Sequence, residues 1–451
     1  MDLKSALASQ RLFFASGTTL DVSYRIAALK RLHDAVLKRE ADIAEVLRED
    51  LGKSSEEAYL TETGIVLHEL SHAIRRLRFW AMPRFGLPSP AAFPGLALAV
   101  SEPLGSVLIF SPWNYPVHLA FMPLIAAVAA GNCAVVKPSS SAPCSGRLIL
   151  DILRSVFPPE HVFGVSGGHD NADRLLSERF DFIFYTGSGA VAGKISRAAA
   201  VHLTPVCLEL GGKSPVICAE DADLEKAAAR IARGKSFNAG QTCVAPDHVY
   251  AHETVIDALC AELRVKFSEY CGAAPLGNPS YPRIVSEKHF DRLLSYGFEG
   301  LRADRASLRI APLVIRVNGF TPDPFPDDEI FGPVLPVIPY SDRSELLAAI
   351  RSKPKPLALY LFTRDRQFAR TVIKTVPFGG GCVNDTVMHL ASGLPFGGVG
   401  ASGTGRYHGK SGFDLLSNKK SILVKAPGFD LPLAYPPFTR SAMRIIRKML
   451  R

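Results

Sequence analysis

Short runs of β-branched and aromatic residues alternate with longer helix-like stretches between Ser106 and Cys218. The runs lie at 107–110, 134–136, 162–165 and 182–185. This βαβα order constrains the fold more than any other feature of the chain, because parallel strands are joined by crossovers that are usually helical. It predicts an α/β protein with a doubly wound sheet, whose ligands bind at the carboxyl ends of the strands.

The alternation continues through the rest of the chain. From about residue 209 to residue 395, the pattern predicts helices near 224–235 and 344–352 and strands near 334–338 and 357–362. Near the start, Asp21 precedes apolar residues at helical spacing and predicts the N-cap of a long amphipathic helix. The segment 83–94 is rich in proline and glycine, and it ends this helical region.

The composition excludes several classes of protein. Of the 451 residues, 47% are hydrophobic and 21% are charged, which is typical of a globular protein with two or three domains. No run approaches the roughly 18 to 20 unbroken apolar residues of a membrane span, and residues 1–20 lack the apolar core of a signal peptide. We therefore expect a cytoplasmic protein. The eight cysteines include no C-x-x-C pair, which favours reduced thiols over disulfides or a metal site.

The net charge of +9 does not indicate a nucleic-acid-binding protein once its distribution is considered. Five basic residues lie after residue 437, and no acidic residue follows Asp430, so the rest of the chain is nearly balanced. On a helix beginning near Ser441, the basic residues would fall opposite an apolar side made of Ala442, Ile445, Ile446 and Met449. We expect this tail either to lie on an anionic membrane surface or to pack on a neighbouring subunit or fray.

Three short motifs contain the candidate chemical groups. Cys243 follows Gly240 in a turn that can present a thiol to a cleft, although a lone cysteine is more often a core thiol. Glu209 precedes a pair of glycines and can act as a base. Asn114 lies in a proline-bracketed turn after a strand, where its amide can donate a hydrogen bond to a developing oxyanion.

Together these motifs resemble the aldehyde dehydrogenase superfamily, and their details resemble its short class 3 branch. The matching phrases are Pro-Trp-Asn-Tyr-Pro (112–116), Val-Ala-Pro-Asp (244–247), Glu-Ile-Phe-Gly-Pro-Val (329–334), Lys-Pro-Leu-Ala-Leu-Tyr (355–360) and Leu-Pro-Phe-Gly-Gly-Val-Gly (394–400). The likeness spans nearly the whole chain. It implies an NAD(P)-dependent enzyme that oxidises an aldehyde, medium- or long-chain aliphatic or aromatic, to the carboxylic acid.

The resemblance also implies a role for each candidate group. Cys243 would attack the aldehyde carbon, and the Asn114 side chain and the Cys243 backbone amide would hold the thiohemiacetal oxyanion. Glu209 would then deprotonate the water that hydrolyses the thioester. Its presence favours hydrolysis over a coenzyme A-acylating or acid-reducing relative. Two further alternatives are a non-catalytic protein of the same fold and a Glu209 that only pairs with Lys213 on a surface turn.

The same resemblance predicts the residues that contact the cofactor, NAD or NADP, and it predicts no metal ion. The predicted contacts are Lys137, Ser140, Gly187, Ser188, Gly193, Leu210, Glu329, Phe331 and Phe396. Lys137 and Glu329 are expected at ribose groups of the dinucleotide. Phe331 and Phe396 are expected to flank the nicotinamide.

Two departures from the family pattern concern this cofactor. The loop that opens at Gly187 is one residue longer than the usual G-x-T-x-x-G-like turn, so the glycine expected at position 192 falls at Gly193. Ser140 stands where many NAD-preferring relatives carry a glutamate that binds the adenine ribose and repels a 2′-phosphate. We therefore hypothesise that NADP is accepted alongside NAD.

By this resemblance the chain divides into four parts. The prediction is a discontinuous dinucleotide-binding domain (1–82 and 104–208), an α/β catalytic domain (209–394), a small β arm for oligomerisation (83–103 and 418–437) and the basic tail (438–451). Strands near 96–102 and 420–425 are expected to form the arm, through which we expect a homodimer to assemble.

Overall fold

Helices and strands alternate along the chain in the computed structural model, which describes residues 3–88, 92, 94–321, 328–391, 393–425, 427–428, 433 and 435–449. The helices in these residues are α1 (Leu3–Ala15), α2 (Val22–Lys38), α3 (Glu40–Leu51), α4 (Ser55–Ala58), α5 (Gly64–Trp80), α6 (Pro116–Ala130), α7 (Pro143–Val156), α8 (His169–Leu176), α9 (Gly189–Val201), α10 (Leu224–Ser236), α11 (Ile256–Cys271), α12 (Glu287–Ser295), α13 (Arg343–Ser352), α14 (Arg366–Thr375), α15 (Gly409–Leu415) and α16 (Arg440–Met449). The strands are β1 (Arg84–Gly86), β2 (Gly95–Pro103), β3 (Ser106–Phe110), β4 (Cys133–Lys137), β5 (Val162–Gly164), β6 (Phe182–Thr186), β7 (Val206–Glu209), β8 (Pro215–Cys218), β9 (His248–His252), β10 (Ala303–Asp304), β11 (Arg309–Ile310), β12 (Leu313–Arg316), β13 (Val334–Tyr340), β14 (Ala358–Phe362), β15 (Gly380–Val383), β16 (Gly403–Thr404) and β17 (Ser417–Lys425).

The first six-stranded sheet has the order β16-β7-β6-β3-β4-β5, and all of its strands except β16 run parallel. Every residue of β3, β4 and β6 is buried, as expected for strands that helices cover on both faces. The four runs predicted from the sequence are β3 to β6, which confirms the α/β fold class. The predicted N-cap is confirmed as well, because the Asp21 carboxylate accepts a hydrogen bond from the Ser23 amide at 2.8 Å.

The second six-stranded sheet has the order β12-β13-β9-β8-β14-β15 and is entirely parallel. The helices predicted at 224–235 and 344–352 are α10 and α13, and the strands predicted at 334–338 and 357–362 are β13 and β14. The sequence therefore predicts the elements of this half of the molecule correctly.

After the second sheet, the chain returns to the first one, which the sequence does not predict. β16 pairs antiparallel with β7 and places Gly403 opposite Glu209. A Cβ atom on Gly403 would lie 2.1 Å from the Leu208 carbonyl oxygen, so only glycine permits this close pairing. Residues 403–404 thus belong to the first sheet, although they follow the segment predicted as the catalytic domain.

The predicted arm strands do pair with each other. β17 runs antiparallel to β2 over nine residue pairs, from Ser417 opposite Pro103 to Lys425 opposite Gly95, and β1 adds a third strand. β17 forms an edge of this sheet, and the Leu423 and Val424 side chains on it are 48% and 51% exposed. Within the residues described, no helix combines the length and the apolar character that crossing a bilayer requires.

Candidate active site

A cleft of about 920 Å³ lies between the two six-stranded sheets. On the first sheet it is lined at the carboxyl ends of the strands, by Thr186 of β6 and Glu209 of β7. On the second sheet it is lined at the amino ends, by Pro215 of β8 and His248 of β9. The rule that ligands bind at carboxyl ends therefore locates one wall of the cleft and not the other.

The structure brings most of the predicted site residues to this cleft. Those that line it are Asn114, Gly187, Ser188, Glu209, Leu210, Cys243, Glu329 and Phe331. The candidate nucleophile, base and oxyanion donor are thus on the walls of one cavity.

Cys243 is presented to the cleft by a strained turn. Asn238, Ala239 and Gly240 follow α10 with φ angles of 50°, 51° and 76°, all in the left-handed region. A Cβ atom on Gly240 would lie only 2.3 Å from the Gly332 carbonyl oxygen, so no other residue fits there. Residues outside glycine rarely adopt this conformation, and each one costs about 1 to 3 kcal/mol. The surrounding structure has to hold the turn in place.

Hydrogen bonds from Gln241 provide part of that support. Its side-chain amide donates to the carbonyl oxygens of Asn238 at 2.9 Å and Arg283 at 3.0 Å. Its side-chain oxygen accepts from the Val285 amide at 3.0 Å. Gln241 is 1% exposed, so these three bonds form away from water and fix the turn to the chain beside α12.

Asn114 is fastened to the same turn. Its side-chain nitrogen donates to the Gln241 carbonyl oxygen at 3.1 Å, and its own carbonyl oxygen accepts from the Asn238 side chain at 2.9 Å. An amide nitrogen carries two N–H donors, and Gln241 takes one of them. The other can serve a ligand in the cleft beside Cys243.

The surroundings of the Cys243 thiol oppose its ionisation. Burial raises the pKa of the thiol, and the carboxyl groups of Glu329 and Glu209 raise it further. The backbone amides of Cys243 and Val244 act in the opposite direction, because they can donate hydrogen bonds to a thiolate. The site therefore disfavours a resting thiolate but already holds N–H donors beside the sulfur.

Glu209 ends β7 with a carboxyl group that is only 2% exposed. Burial raises its pKa well above the ordinary value, and Arg406 opposes this shift only in part. In the part of the chain that the structure describes, Oε2 has no hydrogen-bond partner, while Oε1 accepts from the Cys207 thiol at 3.9 Å. The alternative of a surface ion pair with Lys213 is wrong, because Glu209 is buried. Once ionised, such a carboxylate is a strong base.

The glycine-rich loop at the start of α9 fits a phosphate-bearing ligand. Ser188 is the N-cap and Gly189 the first residue of this 13-residue helix. Both line the cleft, so the N–H groups at the start of the helix lie at its wall. A Cβ atom on Gly187 would lie 2.3 Å from the Tyr185 hydroxyl, which explains the glycine. Gly193 does not lie where the prediction placed it, because it is inside α9 and does not line the cleft.

A second glycine pair holds Glu329 over the cleft. A Cβ atom on Gly211 would lie 2.0 Å from the Glu329 carboxyl, and the Gly212 amide donates to that carboxyl at 3.4 Å. Burial, with the nearby Asp247 carboxylate, raises the pKa of Glu329. Phe331 follows with a left-handed φ of 49°, and its ring lies nearly perpendicular to that of Trp113, with the ring centroids 5.6 Å apart.

Besides Gly193, three further predicted cofactor residues do not line the cleft. Lys137 is 7% exposed, and its ammonium donates to the Gly167 carbonyl oxygen at 2.9 Å instead of pointing into the open space. Phe396 is also 7% exposed, and its ring stacks on that of His408, with the ring centroids 5.3 Å apart, so its place beside a nicotinamide stays a prediction. Ser140 is exposed in the turn after β4.

Sequence reasoning missed several residues that shape the cleft. Trp113 and His289 line it, with their rings 5.2 Å apart. Arg292 of α12 donates to the Glu329 and Ile330 carbonyl oxygens at 3.3 and 2.7 Å and so fixes the Glu329 segment. Trp113 lies within the Pro-Trp-Asn-Tyr-Pro motif at 112–116, which could have indicated it, whereas nothing in the helical pattern around Arg292 marks that residue.

The chain matches the model of the aldehyde dehydrogenase family over residues 1–422. It is 42% identical over 438 residues to the 4,4'-diaponeurosporen-aldehyde dehydrogenase of Staphylococcus aureus, and the aligned region covers 95% of each protein. It is 39% identical over 454 residues to aldehyde dehydrogenase family 3 member H1 of Arabidopsis thaliana, which covers 98% of this chain and 93% of that protein.

Solved structures agree with these sequence matches. The substrate-bound state of Staphylococcus aureus AldH superimposes with a TM-score of 0.96 at 39% identity and covers 100% of both chains. An NAD-dependent aldehyde dehydrogenase from Sinorhizobium meliloti has a TM-score of 0.83 at 29% identity and covers 95% of this chain and 88% of that one. The predicted fold class and the predicted class 3 resemblance are both confirmed.

Replacing Gln241 with alanine tests the support of the Cys243 turn. The change removes three buried hydrogen bonds, each worth about 1 kcal/mol, so we expect the free energy of unfolding to fall by roughly 2 to 3 kcal/mol. A looser turn also lets water reach the thiol, which lowers its pKa and speeds alkylation by iodoacetamide. Denaturant unfolding and mass spectrometry of the Cys243 peptide measure the two effects. Gln367→Ala, on the exposed face of α14, serves as the control, and an alkylation rate equal to wild type in Gln241→Ala would contradict the argument.

Proposed function

Because the chain belongs to the aldehyde dehydrogenase family, we propose that Cys243, Glu209 and Asn114 together oxidise an aldehyde to the carboxylic acid in the cleft between the two sheets. The chain is an NAD(P)-dependent oxidoreductase, and aldehydes are its substrates. The observation that carries the proposal is that a buried carboxyl without a full set of hydrogen bonds, a side-chain amide and a thiol line one cavity. Elsewhere in the chain these groups would be ordinary core residues.

Cys243 is the proposed nucleophile. After the thiol gives its proton to a water molecule in the cleft, the thiolate forms a bond to the aldehyde carbon, and the carbonyl electron pair moves to oxygen. The Asn114 side chain and the Cys243 backbone amide donate to that oxyanion, and one such donor is worth about 3 kcal/mol in acyl-transfer sites. Because Asn114 is already fixed to the nucleophile turn, this stabilisation needs no rearrangement during the reaction.

The residues present fit a nicotinamide dinucleotide. The N–H groups at the start of α9 suit its pyrophosphate, Glu329 suits a ribose, and Phe331 supplies an apolar surface for the ring. Bound there, the dinucleotide supplies the acceptor for the hydride that leaves the substrate carbon. Gly211 keeps the room that Glu329 needs, because any larger residue would displace that carboxyl.

Glu209 is the proposed general base of the second half of the reaction. Loss of hydride leaves an acyl group on the Cys243 sulfur, and a water molecule has to attack that thioester. Glu209 takes a proton of this water as its oxygen bonds to the acyl carbon, the C–S bond breaks, and Glu209 returns the proton to the leaving sulfur, so that the acid and the free thiol are released. A carboxyl with a raised pKa suits this step, since its anion binds a proton tightly.

Glu209→Gln separates the two halves of the reaction. The variant keeps the size of the side chain but cannot accept the proton of water, so we expect steady-state turnover to fall by about 100- to 10,000-fold. Rapid-mixing absorbance should still show one equivalent of reduced cofactor per Cys243, because acylation does not need this base.

The control for this experiment is Glu253→Gln, an exposed glutamate before α11 that should leave both phases unchanged. A Glu209→Gln enzyme that turns over at the wild-type rate would refute the role of Glu209. A wild-type enzyme that requires coenzyme A for turnover would instead favour the acylating alternative.

Ser140 is the basis for proposing that NADP is accepted as well as NAD. It lies exposed after β4, next to the carboxyl edge of the first sheet, and carries no negative charge. Lys137 stays a proposed contact for ribose hydroxyls of the cofactor, although its ammonium is held by a backbone carbonyl.

Ser140→Glu should shift the cofactor preference toward NAD. A carboxylate repels a 2′-phosphate, so we expect the ratio of kcat/KM for NAD over NADP to rise by about tenfold or more. Initial rates with both cofactors measure the ratio. The control is Ser268→Glu, which adds the same charge at an exposed position of α11, a helix that packs against the second sheet. The hypothesis fails if wild type already prefers NAD by more than about a hundredfold.

The proposed substrates are medium- or long-chain aliphatic or aromatic aldehydes. Trp113, Leu210 and Phe331 give the cleft apolar walls, which favour such side groups. Across a series of aldehydes, a kcat/KM that falls steadily with chain length would contradict this preference.

We also propose a homodimer in which the edge strand β17, with Leu423 and Val424 exposed, meets the second subunit. A monomeric mass in light scattering would contradict the dimer.

The tail is proposed to make peripheral contact with an anionic membrane. α16 carries Arg444, Arg447 and Lys448 opposite its apolar side, where Ala442 is packed but Ile445 is 45% exposed. A partly exposed apolar side next to basic residues is suited to a lipid surface that also concentrates hydrophobic aldehydes.

Truncation after Pro437 tests the tail. We expect the full chain to co-sediment with liposomes that contain anionic lipid, and the truncated chain to stay largely in the supernatant. Liposomes of neutral lipid are the control and should bind both forms weakly. Equal binding of the two forms to anionic liposomes would show that the tail packs on protein or frays instead.

A further inference from the structure

Lys53 is a fully buried lysine behind the wall of the active-site cleft. It lies between α3 and α4, and its ammonium forms a 2.6 Å ion pair with Glu62, whose side chain is also completely buried. The same ammonium donates to the Asn114 carbonyl oxygen at 3.1 Å and lies 4.0 Å from the centre of the Tyr115 ring. Neither Lys53 nor Glu62 lines the cleft, so neither touches a substrate there.

Glu62 extends the contact to α6. Its second oxygen accepts hydrogen bonds from the Val117 and His118 amides, at 2.8 and 3.1 Å, in the first turn of that helix. Glu62 lies in the π-helical turn Tyr59–Thr63, a rare irregularity that often marks functional regions. The pair therefore holds both sides of Asn114: Lys53 binds its carbonyl, and Glu62 binds the helix that follows it.

The chain segment that contains Lys53 and Glu62 also contacts the turn at 238–240, which precedes Cys243. The Glu57 carboxylate accepts from the Asn238 amide at 2.6 Å, and the Asn238 side chain donates to the Asn114 carbonyl that Lys53 also contacts. The Asn114 carbonyl oxygen therefore accepts hydrogen bonds both from Lys53 and from the turn that precedes Cys243.

The energetics argue against a purely stabilising role for this pair. Removing two charges from water costs several kcal/mol each, and apolar residues of similar volume often stabilise a core equally well or better. What a buried pair supplies is a fixed geometry, because both charges must keep their partners. Here the fixed object is the peptide unit of Asn114.

We propose that Lys53, paired with Glu62, is a positioning residue that sets the place of the Asn114 amide beside Cys243. The inference rests on the proposed role of Asn114 as an oxyanion donor. Lys53 holds the Asn114 carbonyl, and that contact fixes how far the side-chain amide reaches into the cleft. An oxyanion donor displaced by about 1 Å loses much of its effect on the reaction rate.

Two variants of the pair test this proposal. Lys53→Met removes the ammonium but keeps the length of the stem, and Lys53→Met/Glu62→Gln also removes the charge that would be left alone, so at least the second should fold. We expect the rate constant for the acylation burst to fall by about 10- to 100-fold in both variants. KM for the cofactor should stay within about twofold, because the cofactor residues are not held by this pair.

A double-mutant cycle with Asn114→Ala distinguishes positioning from general damage. If Lys53 acts through Asn114, the further loss from Lys53→Met/Glu62→Gln in the Asn114→Ala background should be less than about threefold. A structural role alone would reduce the rate by the same factor in both backgrounds, and that additive result would overturn the proposal.

Arg25→Met is the matched control for a lost buried cation. Arg25 is 6% exposed and donates to the Thr19, Leu20 and Ala129 carbonyl oxygens at the far end of α6. Arg25→Met should change the burst rate constant by the same factor in the wild-type and the Asn114→Ala backgrounds. An Asn114→Ala enzyme with a wild-type burst would refute the oxyanion role itself, and this inference with it. A slow Asn114→Ala enzyme that shows additivity would refute only the role of Lys53.

Discussion

The left-handed turn at Asn238–Gly240 is the constraint on which the rest of the site depends. Three successive residues with positive φ are unfavourable in an isolated chain, and here they reverse its direction directly after α10 and bring Cys243 to the cleft. The turn persists because Gln241, Asn114 and Glu57 all form hydrogen bonds with its backbone or side chains. The geometry of the nucleophile is therefore determined by distant segments and only weakly by its own sequence.

A second constraint is electrostatic. Burial raises the pKa of Cys243, Glu209 and Glu329, and each ionised carboxylate makes the thiol harder to ionise. The cleft thus favours states with few negative charges. An anion that forms during the reaction is stabilised only where N–H groups can donate hydrogen bonds to it. Those donors lie beside the sulfur and on Asn114, so an oxyanion on a Cys243 adduct is better supported than charge at the carboxyls. This asymmetry favours catalysis that moves protons within the cavity.

The sequence allows the strands, the fold class and the three catalytic candidates to be predicted, because each rests on a local pattern or a contiguous motif. Two predicted cofactor residues that do not line the cleft share a physical cause for their positions. Lys137 and Phe396 lie in correct motifs, but the direction of their side chains is set by Gly167 and His408, which are distant in sequence. Lys53 and Glu62 were missed for the same reason, since their importance depends on contact with Asn114 across about sixty residues of chain.

The position of Glu209 shows how the two halves of the chain complete each other. β7 alone is an edge strand, and an edge residue is not well fixed. The antiparallel strand β16 covers that edge, with Gly403 opposite Glu209, and the Leu210 amide donates to the Ser402 carbonyl at 3.1 Å. The carboxyl is thereby held against a cleft whose opposite wall comes from the amino ends of the second sheet. A base of this kind requires the chain to traverse the second sheet and return, so neither half could form the site by itself.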